Sequence, residues 1–148
     1  MKTLRLILVC LIVMLPAGEL SAAHSGTSVV LVASSGSSRP DTFSVSELRR
    51  LFLGIPVRRG GEMVTPLINA SDKDIYQAFL QKVMFMSEAN YQRQLVLRVF
   101  RRGGKRPQVY RDPRKLVQAM TVGPLGVTFM TREQVKQLQG VEVVQPLW

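Results

Sequence analysis

Short runs of β-branched and aliphatic residues alternate along this chain with segments that open on helix caps, and this alternation restricts the fold more than any other feature. Ser28-Val29-Val30-Leu31-Val32-Ala33 reads as a buried strand. Ser44, with Glu47 three residues on, has the spacing of a capping box, in which each side chain satisfies the other residue's backbone N–H. Val45, Leu48, Leu51 and Phe52 then share one helix face, and Gly54 is placed to end the helix in a left-handed conformation. Residues 63–68 read as a second strand, in which Pro66 predicts an edge or a bulge. Ser71 is expected to cap the next helix, with Asp72 and Asp74 favouring its N-terminal dipole and Ile75, Phe79, Val83 and Met86 along its apolar face.

Ser87 opens a further helix, with Tyr91, Leu95, Val96, Val99 and Phe100 expected to face inward and Gly103-Gly104 to stop it. Asp112-Pro113 is an N-cap followed by the residue best suited to a first helical position, and Leu116, Val117 and Met120 form that helix's buried side. The turn Gly123-Pro124-Leu125-Gly126 leads into a strand over 127–130, Thr131 and Gln134 cap a short helix, and 141–144 make a last strand. Strands separated by capped helices predict an α/β sheet covered by helices, not a bundle.

The N-terminus stands outside this alternation. Lys2 and Arg5 precede an uncharged apolar run from Leu6 to Leu15, Pro16-Ala17-Gly18 breaks it, and Ser21-Ala22-Ala23 offers the small residues a signal peptidase reads. A bilayer span needs roughly 20 apolar residues, so a signal peptide over 1–23 is expected in place of an anchor. Val9 ahead of Cys10 argues against lipidation. Residues 24–148 then form one domain, periplasmic or secreted. Cleavage removes Cys10, the one cysteine, and leaves His24, the one histidine, at the new N-terminus. Thiol catalysis, His-based triads and His metal sites are thereby excluded. The carboxylates are scattered, with no facing pair. No enzyme, cofactor or metal is expected.

Charge is the remaining signal. The chain carries 20 Lys+Arg against 10 Asp+Glu, a formal charge of +10. Nine of the cations fall in one stretch: Arg93, Arg98, Arg101, Arg102, Lys105, Arg106, Arg111, Arg114 and Lys115, opposed there by Asp112 alone. Such a stretch attracts phosphates, anionic lipid or an acidic protein; an ordinary solvated basic surface is the alternative. Phe100 is expected to be buried and few aromatics are interleaved, so no specific nucleic acid is expected. Ser34, Ser35, Gly36 and Ser37 follow the first strand and either present N–H and hydroxyl groups to a small anion or form an ordinary polar turn.

Several segments together resemble the phosphate-type periplasmic solute-binding proteins of ABC transporters. Leu51-Phe52-Leu53-Gly54 is similar to the Ile-Phe-x-Gly that ends a helix there, and Gly60-Gly61 before Val64-Thr65-Pro66-Leu67 matches the turn and strand that follow. Ala78-Phe79-Leu80, Phe100-Arg101-Arg102-Gly103 and Gly123-Pro124-Leu125-Gly126-Val127-Thr128-Phe129 resemble later family segments in the same order. The resemblance implies a single-lobe type II periplasmic-binding-protein-like domain, a mixed sheet flanked by helices. It also implies a ligand groove at the strand ends, near Ser34–Ser37 and at Ser71 and Asp72. The family's phosphate loop corresponds to Asn69-Ala70-Ser71-Asp72-Lys73-Asp74, where its arginine, both glycines and its threonine are missing.

The expected function is an exported, non-enzymatic solute-binding-protein-like module with a ligand-binding or accessory role in the envelope, weak for any small anion. The alternative is docking on an acidic partner, membrane surface or polyanion through the basic stretch. Intact-mass measurement on the envelope fraction should show a protein that begins at His24; a retained 1–23 segment would contradict the leader.

Overall fold

A computed structural model of the chain describes residues 27–36 and 41–148. The expected leader with its cleavage site, and Ser37 in the segment 37–40, lie outside the described residues. Strand β1, Val29–Ser34, is buried along its whole length, as a run of β-branched and aliphatic residues with no polar face requires. It pairs antiparallel with β6, Gly126–Thr131, on one side and with β7, Val141–Pro146, on the other. β4, Thr65–Asn69, runs parallel to β6 and to the short β5, Gln108–Tyr110, giving the order β5-β4-β6-β1-β7. The protein is therefore α/β with a mixed sheet.

Pro66 sits where it does least harm. It pairs with Val127 on the β6 side, while pairing to β5 starts one residue later, at Leu67. A residue without an N–H is tolerated where one side of the strand has no neighbour.

Helices cover both faces. The alternation of β1 sends Val29, Leu31 and Ala33 into a core with α1, Val45–Phe52, and α2, Lys73–Phe79. Val30 and Val32 face Leu116 and Met120 of α4, Pro113–Val122, on the other side. α5, Arg132–Gln137, follows β6 directly through a capping box of Thr131 and Gln134. The capping box at Ser44 and Glu47 is likewise formed, and Asp112 caps α4 with Pro113 at its start. Arg59, on the small hairpin of β2 (Arg58–Arg59) and β3 (Glu62–Met63), reaches Glu47. The hydrogen bond from its guanidinium, with those from Ser44, holds the Glu47 carboxyl down at about 2.

Phe52, Phe79 and Phe129 come from three elements and meet at the centre of the larger core. Phe79 stacks on Phe129 with ring centroids 3.9 Å apart, and Phe52 meets Phe79 edge-on at 4.9 Å. Beside them, the Tyr91 hydroxyl donates to the Phe52 carbonyl at 2.6 Å and ties the first turn of α3, Glu88–Arg102, to the end of α1. Burial pushes the pKa of that hydroxyl well up, so it stays a donor.

Four expectations fail, each for a local reason. Asp72, not Ser71, caps α2: its carboxylate accepts from the N–H of Asp74 and Ile75, while Ser71 is held by Asn69. That helix does not run on to Met86; it widens into a π turn over Leu80–Met84 and ends at Phe85 in the left-handed region, φ 55°. Val45 stands exposed at the first position of α1, ahead of the turn that reaches the core. Val99 and Phe100 do not face inward, and Phe100 is 85% exposed. Only Tyr91 and Leu95 of α3 are buried, so its last two turns run past the core.

Replacing Phe79 or Phe129 with Ala should each cost about 3–5 kcal/mol in denaturant unfolding, the usual loss for a buried aromatic. Phe100→Ala should cost less than about 0.5 kcal/mol, as an exposed position does.

Candidate functional site

Strand direction decides which candidate residues can act together. β4 and β6 end at the same edge, so Asn69, Ser71 and Thr131 are neighbours there. β1 runs the other way: its Val29 pairs with Thr131, whereas Ser34 pairs with Val141, five residues further along. At about 3.4 Å per residue, Ser34 lies roughly 17 Å from that edge. The structure thus separates Ser34, Ser35 and Gly36 from Ser71 and Asp72, and the expected common groove at the strand ends is not formed. Ser34 is buried, and the N–H of Ser35 donates to Gly140.

At the Ser71 edge the polar groups satisfy one another. Asn69, only 2% exposed, donates through Nδ2 to the Phe129 carbonyl at 3.0 Å. Its Oδ1 accepts from the Ser71 N–H at 3.1 Å and from the Ser71 hydroxyl at 2.6 Å. Gln134 Nε2 donates in turn to Ser71 Oγ at 3.2 Å, and Gln134 Oε1 accepts from the Thr131 N–H. Asp72 is engaged as the cap of α2. An anion arriving here would find the hydroxyl of Ser71 already donating and a carboxylate beside it. Asn69, Ser71 and Gln134 thus form a structural clasp between β4 and α5.

The open concavity lies at the opposite end of β4. A groove of about 890 Å³ runs between the end of α1, the β3–β4 corner and the segment that joins α3 to β5. Leu51, Ile55, Met63, Pro66 and Pro107 give it apolar walls, and Arg98, Arg102, Lys105 and Arg106 stand along one side. Sequence reasoning named these four cations but not the groove, because its walls come from two segments, 51–67 and 98–108, that are far apart in the chain. Gly54 makes the geometry possible. Its φ of 75° closes α1, with its N–H on the Leu51 carbonyl and that of Ile55 on the Arg50 carbonyl. A Cβ there would come within 3.0 Å of the Lys105 carbonyl, so glycine lets the basic segment lie directly against the helix end.

The outer face of α3 is different again. Arg93, Leu97 and Phe100 follow at helical spacing, with Arg101 beside them, and all four are exposed. Arg98 and Arg102, four residues apart, face the groove. Among the described residues none of these cations forms an ion pair; the pair that is formed joins Arg59 to Glu47. No acid occurs in sequence between Glu88 and Asp112. Among the described residues, no three His, Cys, Asp or Glu side chains come together, and no helix is long and apolar enough to cross a membrane.

A scan against protein-family models and searches of the curated proteins and of the solved structures found no match for the chain.

Titration with inorganic phosphate or sulfate at physiological salt should show no micromolar binding. Ser71→Ala should instead lower stability by about 1 kcal/mol, the ordinary worth of a part-buried hydrogen bond. A micromolar phosphate site that Ser71→Ala removes would restore the strand-end groove as a ligand site.

Proposed function

We propose that this protein is an exported, non-enzymatic module of the cell envelope, derived from one lobe of the phosphate-type periplasmic-binding-protein fold. In this reading it has an accessory role and docks on an anionic membrane surface through the end of α3 and the basic segment after it. The lineage is supported by a mixed sheet with helices on both faces and by the order of the segments that resemble that family. A solute-binding role at the strand ends has less support, because Ser71, Asn69 and Gln134 are bonded to one another. A non-catalytic role is supported by three of the carboxylates having structural work: Glu47 holds Arg59, and Asp72 and Asp112 cap helices.

One observation carries the docking reading: Phe100 stands in water, 85% exposed, amid unpaired arginines on a helix that has outrun its core. A solvated basic face has no use for a bare aromatic ring, whereas an interfacial helix combines Phe and Leu with Lys and Arg. A duplex or other polyanion without exposed bases would use the cations but not Leu97 and Phe100, and a single strand would stack a base on Phe100 but leave Leu97 uncovered. Each cation near an anionic bilayer contributes about 1 kcal/mol, so the six from Arg93 to Arg106 supply on the order of 6 kcal/mol before Phe100 is inserted.

Flotation with liposomes tests this. Phosphatidylglycerol vesicles should carry the protein at low salt and release it as salt screens the charges, while phosphatidylcholine vesicles should not bind it. Reversing Arg101, Arg102 and Arg106 to Glu should abolish flotation with little change in melting temperature, and Phe100→Ser should weaken it. Flotation that survives the triple reversal would remove the proposal.

A further inference from the structure

We infer that the groove beside the basic segment takes the acyl chain of an anionic lipid, whose phosphate rests on the cations along its rim. The inference extends the docking reading by giving that surface a ligand, and it stands on a different observation, the lining of the groove. The volume of about 890 Å³ lies within the range of small-molecule sites. Its walls and its rim ask for opposite chemistries. Inside the rim the walls offer inorganic phosphate few donors, the Thr65 hydroxyl and the Gln108 amide, so a bare anion gains little by passing the cations to enter. A neutral hydrocarbon would cover Arg98 and Arg102 without replacing their water, which is costly for a charge. A chain with an anionic head satisfies both.

The walls also discriminate against a peptide. Pro56, Pro66 and Pro107 line the groove, and proline has no N–H to offer. An extended peptide laid against these three prolines would find no N–H there for its own carbonyls, at a cost for every one that is dehydrated unpaired. An acyl chain has no such groups. The rim carries the charge that a phosphate needs. Arg98 and Arg102 are one helical turn apart on the same side of α3, and Lys105 and Arg106 follow on the segment that Gly54 holds close. Guanidinium groups bind phosphate oxygens through paired hydrogen bonds.

Decyl phosphate, kept below its micellar concentration, is the probe, titrated calorimetrically into the full protein beside inorganic phosphate and decanol. The chain and the head should each count: decyl phosphate should bind at least tenfold more tightly than either control. Thr65→Trp fills the groove from an exposed strand position, and Met63→Glu puts a carboxylate into its wall. Each should weaken decyl phosphate at least tenfold without a large loss of melting temperature, and Thr65→Trp should leave vesicle flotation within about twofold. Equal binding of decyl phosphate and inorganic phosphate overturns the inference, as does equal binding of decanol, or undiminished binding by a folded Thr65→Trp protein. Decyl phosphate bound by a protein that ignores phosphatidylglycerol vesicles removes the docking reading and leaves this one. Flotation without decyl phosphate binding does the reverse.

Discussion

A strand with no wet side imposes the rest of the architecture. Every residue of β1 from Val29 to Ser34 is buried, and the strand is paired on both edges, so neither its faces nor its backbone can be left to solvent. Val29, Leu31 and Ala33 need one cover and Val30 and Val32 another, which is why α1 and α2 pack on one face while α4 packs on the other. The covers are unequal. The first is keyed by three phenylalanines in mutual contact and by Tyr91, whose hydroxyl fixes α3 to the Phe52 carbonyl. The second depends on aliphatic contact with Leu116 and Met120.

The direction of β1 has a second consequence. Because it opposes β6, the loop after β1 and the loop after β4 leave from opposite ends of the sheet. Parallel α/β sheets gather ligands at the carboxyl ends of their strands, and here that edge is closed by the bonds among Asn69, Ser71 and Gln134. The free concavity is at the amino end of β4, where a hairpin, a glycine-ended helix and a basic segment leave room between them. A docking or ligand site there owes nothing to a helix N-terminus; it depends on arginine side chains carried by the end of α3.

What the sequence discloses is what local physics determines. The caps at Ser44, Ser87, Asp112 and Thr131 are readable because a hydroxyl or carboxylate bonds an N–H two or three residues away, a range that sequence spacing covers. The meeting of Phe52, Phe79 and Phe129 is readable because each lies on the apolar face of its own element. Ser71 misleads because Asp72, next to it, is an equally good cap and wins once Asn69 captures the serine. β5 escapes notice because Gln-Val-Tyr is three residues long and becomes a strand by pairing with β4. Strand polarity has no local signature, so the separation of Ser34 from Ser71 is visible only in three dimensions. The leader expected over 1–23 lies outside the described residues.

Phe100 shows most clearly where periodicity stops informing. Helical spacing identifies which residues share a face, but not how far the core beneath that face extends. α3 has 15 residues, about 22 Å at 1.5 Å per residue, and the core meets it only at Tyr91 and Leu95. Beyond Leu95 the helix gains little from packing, which is the main source of helix stability in proteins. Its cations at 98, 101 and 102 sit near the C-terminus, where they favour the helix dipole, but that is worth only about 0.3–1 kcal/mol at an exposed site. Neither contribution explains an aromatic ring in water. An outside surface does, if it accepts Leu97 and Phe100 on one side of the helix while Arg98 and Arg102 roof a groove on the other. In the docking reading proposed above, the excess of helix over core is the part of the fold that faces the membrane.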